Sequence, residues 1–229
     1  MPVAFSIAVA LSTLMCVQGQ AVLLPVNATT WLAEHNYVRA KPEADSMQTM
    51  IWDEELAALA ASYALNCTFR HRSKARLSTD RYPGAGENLY AQSAARPLTA
   101  RRAVPVRRWF NEHLYYDYES NSCRAGKLCG HHTQVVWATS CAVGCAIARC
   151  PTIAHAGRVT GGYVAVCNYA ATTRERGPTA QAPPARSVPT GATLTANSVR
   201  STTLEVCLAD CRRVHRQCGD QGATEPVDC

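Results

Sequence analysis

His71, Glu87, Glu112 and His131 are the side chains whose types suggest chemistry in this chain of 229 residues. Imidazole nitrogen and carboxylate oxygen are borderline ligands that suit zinc or another divalent cation. The same four groups could instead relay a proton as general acids and bases. Spacing alone does not unite them, because scattered His and Glu are more often ordinary hydrogen-bonded polar groups. His71 follows a helical pattern, Glu87 lies in the Gly-rich segment GAGENLY, read as a turn, and Glu112 follows Trp109 in WFNEH. His131 precedes, and His132 opens, the segment HTQVVWA. Read as a strand, that segment sends the two imidazoles to opposite faces, so only one can enter a given cleft. The sequence marks no Ser or Cys as activated by these histidines, and the HExxH pattern of zinc peptidases is absent.

Periodicity indicates the elements that must position these groups. After Thr29 and Thr30, WLAEHNYVRA begins like a capped helix. Asp53 can cap DEELAALAASYALNC, where Leu56, Leu59, Ala60, Tyr63 and Cys67 follow helical spacing. A third helix is expected from Pro105 through VRRWFNEHLYY, with Val106, Trp109, Phe110 and His113 on one face. HTQVVWA, GCAIARC and GGYVAVCNY are rich in β-branched residues and read as strands of an antiparallel sheet. Helices first and a sheet later imply an α+β domain with helices covering a small sheet.

The compartment follows from the cysteines. A chain of this length buries enough surface to fold without covalent help, yet it has 12 Cys and no CxxC pair. Long irregular spacings point to disulfides in a secreted, extracellular protein rather than to zinc fingers or thiol redox chemistry. Residues 2–17 are uncharged and apolar, and Val17 and Gly19 suit cleavage ahead of Gln20, so 1–19 read as a signal peptide. Its removal would leave eleven cysteines. No later segment is apolar enough for a transmembrane anchor. The net charge of +6 is carried mostly by Arg, in two groups: Arg70, Arg72, Lys74, Arg76 and Arg81, then Arg96, Arg101, Arg102, Arg107 and Arg108. These suit anionic glycans or anionic lipid, although a solvated basic face is the commoner meaning. Nucleic acid is not expected, since no base-stacking aromatic motif accompanies them. Residues 27–173 form the expected domain, 174–206 a Pro/Thr/Ala-rich linker, and 207–229 a short tail holding Cys207, Cys211, Cys218 and Cys229. Asn27 in NAT and Asn66 in NCT fit the N-glycosylation pattern.

GHHTQVVWATS at 130–140, with HNYVR at 35–39, GENLY at 86–90 and YVAVCNY at 163–169, strongly resembles the CAP superfamily. That superfamily comprises cysteine-rich secretory proteins, antigen 5 and plant pathogenesis-related proteins. The resemblance implies a three-layer α-β-α sandwich (the SCP domain), followed here by the short cysteine-containing tail. It implies a cleft lined by His71, Glu87, Glu112 and His131, with His71 and His131 able to ligate Zn2+ or another divalent ion, and His132 facing away. It pairs Cys67 with Cys150, Cys145 with Cys167, and Cys123 with Cys129, and leaves Cys141 without a counterpart. Tyr115, Tyr116 and Tyr118 in LYYDY stand where sterol-binding relatives carry an aromatic loop, and some members hold fatty acyl chains between two helices. The expected function is therefore non-enzymatic binding of a sterol or fatty acid, with possible divalent metal in the His/Glu cleft. The alternatives are an extracellular protein–protein ligand in defence, venom or immune modulation, and a metal-assisted hydrolase. YVAVCNY continues as AATTRERG, unlike many relatives, and the four-cysteine tail does not support ion-channel regulation.

Overall fold

Alternating small and β-branched residues make the two longest strands, β6 (Ala142–Thr152) and β7 (Thr160–Tyr169), which pair antiparallel with Cys145 opposite Cys167. They are the centre of a computed structural model that describes residues 19–41, 47–79, 81–82, 84–95, 98, 103–157 and 159–170. The linker and tail, all of the expected signal peptide except Gly19, and Arg96, Arg101 and Arg102 lie outside the described residues. On the other side of β7 runs β3 (Gly86–Ser93), antiparallel, with Glu87 opposite Asn168. The segment read as a Gly-rich turn is thus a strand from Gly86 onward, and Glu87 is its second residue. β1 (Val22–Leu24) pairs antiparallel with β6, and β2 (Ile51–Trp52) pairs parallel with it, so the sheet is not wholly antiparallel. A hairpin of β4 (Tyr116–Asp117) and β5 (Ser122–Cys123) stands apart.

Helix α1 (Ala28–Arg39) is capped by Asn27, whose side-chain oxygen accepts from the Thr30 amide at 2.8 Å, rather than by Thr29 or Thr30. Helix α2 (Glu54–Ala64) is capped by Asp53 through the Leu56 amide at 3.0 Å, as expected. It stops at Ala64, so Cys67 lies beyond it with a φ of 50°. Helix α3 (Val104–Phe110) ends earlier than its sequence pattern suggested and passes into a 3-10 helix, Asn111–Tyr115. Glu112 therefore sits on that tighter turn, and His113 is exposed while Val106 and Trp109 are buried.

HTQVVWA is not a strand. Helix α4 (Gly130–Val135) takes its first half, and Val136 and Trp137 follow in a turn. β-branched residues report a fit to a half-buried surface more than a backbone preference, and here polar partners hold both ends of the helix. The Glu112 carboxylate accepts from the His131 and His132 amides at 3.1 and 3.3 Å, satisfying two of the orphan donors of a first turn. At the other end stands Arg39.

The sheet's two faces carry separate cores. Val143, Cys145, Ile147, Ala165, Cys167 and Tyr169 face Trp31 and Val38 of α1, Val106 and Trp109 of α3, and Val135 of α4. Ala146, Ala148, Cys150, Val164 and Val166 face Ala60 and Ala64 of α2. This is the expected α+β arrangement of three layers, with α2 alone on one face. Close approach there depends on Gly144, where a Cβ would lie 2.0 Å from the Ala57 amide nitrogen. Three disulfides form as the resemblance implied: Cys67–Cys150, Cys145–Cys167 and Cys123–Cys129. Cys141 is also disulfide-bonded.

Arg39 is 1% exposed and spends its guanidinium on backbone carbonyls alone among its described bonds. Nε and Nη2 donate to Gln48 O at 3.1 and 2.6 Å, Nη1 to Val135 O and Trp137 O at 2.8 Å each, and Nη2 to Ala138 O and Ser140 O at 3.3 and 2.9 Å. Burial draws its pKa down to about 9, which still leaves it protonated at neutral pH. Replacing it strands buried carbonyls, so Arg39→Met should destabilise by about 3–5 kcal/mol in guanidinium chloride unfolding. Arg39→Lys should recover only a minor part, because an ammonium lacks the planar fork.

Candidate functional site

Among the described residues, two clefts are lined in part by α4. The first, about 450 Å³, is walled by Phe69, His71, Glu87, Leu128, Gly130 and His131 among others. Three of the four residues singled out by type, His71, Glu87 and His131, line it, and the fourth, Glu112, is bonded to His131. They form two facing pairs: His71 Nδ1 bonds Glu87 Oε1 at 3.0 Å, and His131 Nδ1 bonds Glu112 Oε1 at 2.7 Å. The two imidazole centroids are 6.3 Å apart. A carboxylate accepts only, so each Nδ1 carries the hydrogen, and in the neutral ring Nε2 is the nitrogen that keeps a lone pair.

Glu87 is fully shielded at its side chain. Arg72 donates to it twice, from its amide to Oε1 at 3.1 Å and from Nε to Oε2 at 2.7 Å. Burial would raise the Glu87 pKa, but the His71 hydrogen bond and the charge and bonds of Arg72 outweigh it and hold the carboxyl below its ordinary value. Arg72 in turn donates to Leu59 O at 3.0 Å and Asn168 Oδ1 at 2.7 Å and lies over the Tyr63 ring. It is a buried structural cation, not part of a basic face. Of its expected companions, Arg81 pairs with Asp53 and Glu55, and Arg107 with Glu34.

Trp109 stacks on His131 at 6.2 Å and donates to Leu89 O at 3.0 Å. Asn88 donates to His131 O at 3.1 Å and to the Tyr169 hydroxyl at 3.3 Å. That hydroxyl also meets His35 Nε2 at 3.1 Å. His35, Tyr169 and Asn88 thus connect α1, β7, β3 and α4 through one polar chain.

The second cleft, about 940 Å³, lies between α1 and the α3/3-10 segment. Tyr37, Val38, Phe110, Tyr116, Tyr118 and His132 are among its walls, with Lys41 and Arg107 at the lining too. Consecutive helical residues diverge by about 100°, so His131 enters the first cleft and His132 the second. His132 packs against Phe110 and Tyr116, with centroids at 5.5 and 5.6 Å. Burial, then the neighbouring His113, lower its pKa to about 4 against the opposing pulls of Glu112 and of the nearby Phe110 backbone. Tyr115 does not line this cleft; its ring lies under Lys127 Nζ at 4.7 Å.

Residues 32–169 match the family described as CAP: Cysteine-rich secretory protein family, more than half of the chain. The chain belongs to that family. Human GLIPR1-like protein 1 is 39% identical over 140 residues, 59% of this chain and 54% of that protein, so the match spans about half the relative's length. Pathogenesis-related protein 1A of Nicotiana tabacum is 38% identical over 61% of this chain and 71% of its own. The solved Schistosoma mansoni venom allergen-like protein 4 superposes with a TM-score of 0.51 at 22% identity, covering 64% of this chain and 88% of that one. Na-ASP-1 gives 0.53 at 24% identity, covering 73% and 45%. These structural likenesses show a shared CAP fold.

Within this CAP domain the two glutamates are committed to imidazole, Arg72 and backbone amides. They orient the His rings instead of presenting oxygens as further ligands. Among the described residues, His35, Cys145 and Cys167 bring their donor atoms within 4.8 Å of one another, but the two sulfurs form a disulfide and His35 already bonds Trp31 O and Tyr169. That trio offers no thiolate to a metal. Arg72 and Asn88 escaped the sequence reading because an Arg beside exposed residues looks like surface charge. The signal available was a Glu on an apolar strand, which needs a buried cation.

Removing Arg72 leaves Glu87 buried with little compensation. Arg72→Met should therefore cost about 3–5 kcal/mol in urea unfolding at pH 7, and His71→Ala about 1 kcal/mol or less, its side chain being 39% exposed. The wild-type Glu87 contribution is present above the ordinary value of 4.5 and is lost as pH falls below it. The gap between wild type and Arg72→Met should accordingly narrow below pH 4.5.

Proposed function

We propose that this chain is a secreted, non-enzymatic protein whose domain 27–173 binds a small apolar ligand, a sterol or fatty acid, in the α1/α3 cleft. The observation that carries this reading is the cleft itself: about 940 Å³ walled by Tyr37, Phe110, Tyr116 and Tyr118. That volume suits a small lipid, and tyrosines join large apolar faces to polar tips. Exposed Asn27 and Asn66 fit glycosylation in the same extracellular setting. Asn27 caps its helix through the side-chain oxygen, which leaves its amide nitrogen for a glycan.

A second reading concerns the first cleft. His71 and His131, each with Nδ1 held by a carboxylate and Nε2 directed by that bond, form a donor set that fits a divalent ion such as zinc. Two rings sharing one tetrahedral ion through bonds of about 2.0–2.1 Å have centroids roughly 5 Å apart, so the two rings, 6.3 Å apart here, would close by about 1 Å to share it. When bound there, such an ion would supply Lewis acidity. Glu87, both of whose oxygens are hydrogen-bonded, is a poor candidate for a general base, so this cleft reads as a binding site rather than a hydrolytic one.

Retention of radiolabelled cholesterol or palmitate by purified protein tests the first reading. Tyr116→Ala and Tyr118→Ala should each weaken it by roughly five- to hundredfold, while Tyr115→Ala should leave it unchanged; equal binding by all three variants and wild type would refute the cleft. Zinc titration by calorimetry tests the second. His71→Ala and His131→Ala should abolish the strong site, and Glu112→Gln should weaken it about 10–100-fold without removing a ligand.

A further inference from the structure

His132 lines the α1/α3 cleft, is only 6% exposed, and carries a buried Nδ1 with no hydrogen-bond partner. The polar groups around it are already engaged. His113 Nδ1 donates to Phe110 O at 2.9 Å, and the Tyr116 hydroxyl donates to Asn121 Oδ1 at 2.7 Å. A ring of carbon atoms would fill the same aromatic nest beside Phe110 and Tyr116 without that cost. An unmet buried nitrogen weighs roughly five- to hundredfold in an equilibrium constant. Rotation about the Cβ–Cγ bond exchanges Nδ1 with Cδ2, so the imidazole can present nitrogen from either edge.

Resting on the reading that this cleft holds a small apolar ligand, we infer that it selects ligands bearing a hydroxyl group, which His132 hydrogen-bonds, over the same skeleton without one. A hydroxyl both donates and accepts, so it matches either tautomer of the ring. A carboxylate only accepts, and burying its charge demands a cation. Arg107 is already bound by Glu34 through two contacts, at 2.6 and 3.2 Å, and Lys41 lies over the Tyr37 ring. An acid group therefore belongs at the mouth of the cleft, and the hydroxyl deeper, at His132. Discrimination follows from the protein side: a hydroxyl meets an imidazole nitrogen that the fold leaves unpartnered, whereas a hydroxyl-free ligand leaves it unmet.

Two matched pairs of probes separate the sources of such a group: cholesterol against cholestane, and a positional set of hydroxystearic acids against stearic acid. Competition binding to the full chain should show at least one hydroxylated member binding about tenfold or more tighter than its hydroxyl-free partner. In His132→Phe that preference should vanish, with the hydroxyl-free ligand bound as well as or better than before, while His113→Ala keeps the preference. Wild-type affinities within threefold in both pairs would overturn the inference and leave the apolar-ligand reading standing. Failure of all these probes to bind would end both. The wild-type comparison decides even if the His132→Phe chain does not fold, and a folded His132→Phe that keeps the preference would also overturn it.

Discussion

One buried guanidinium organises the functional side of this molecule. Arg39, at the last residue of α1, gathers carbonyls from Gln48 and from Val135 through Ser140. The carbonyls from Val135 to Ser140 belong to the end of α4 and to the turn that leads into β6, a stretch with little regular pairing of its own. Helix termini leave carbonyls without internal partners, and a six-residue helix is mostly termini. A cation with five rigidly placed donors suits that situation. The constraint reaches the site because His131 and His132 lie one turn from the anchored end.

The opposite end of α4 is held by an opposite charge. Glu112 accepts from two amides of the first turn and from the His131 ring. Negative charge at the start of a helix and positive charge at its end both favour the backbone dipole, so a segment too short to be helical alone is held between Glu112 and Arg39. Its shortness matters for function. Two adjacent imidazoles diverge into separate clefts, one beside His71 and one beside Phe110 and Tyr116, and a single carboxylate supports the segment that carries both. The polar chain of His35, Tyr169 and Asn88 adds a third support through the His131 carbonyl.

Much of this was legible in the sequence, and the misreadings share one cause. The Asp53 cap, the runs of β6 and β7 and the three disulfide pairs followed from local pattern or from resemblance. The errors fall where tertiary polar contacts override local preference. HTQVVWA has the composition of a strand, yet Glu112 and Arg39 hold its first half as a helix. GAGENLY has the glycines of a turn, yet Asn168 and Cys167 across the ladder draw it into β3. Arg72 looked like one member of a basic run, whereas the burial of Glu87 pulls it inward. Tyr115, Tyr116 and Tyr118 formed one cluster on paper. The 3-10 turn and the β4 strand give them different surroundings, so only two reach the cleft.

That pattern bears on where variation can act. Core positions on both sheet faces alternate strictly, and even a methyl at Gly144 would collide with α2, so the scaffold has little freedom to change. The buried polar groups are equally bound, since removing either member of a satisfied pair leaves the other as a desolvation cost. Freedom remains where a side chain meets a cleft and the scaffold holds it through one contact or none. His71 is partly exposed on one rim, and His132, whose Nδ1 has no partner within the fold, forms part of the other wall. A change at such a position costs the fold little, and on the proposed reading it would alter what the cleft accepts without disturbing the CAP scaffold.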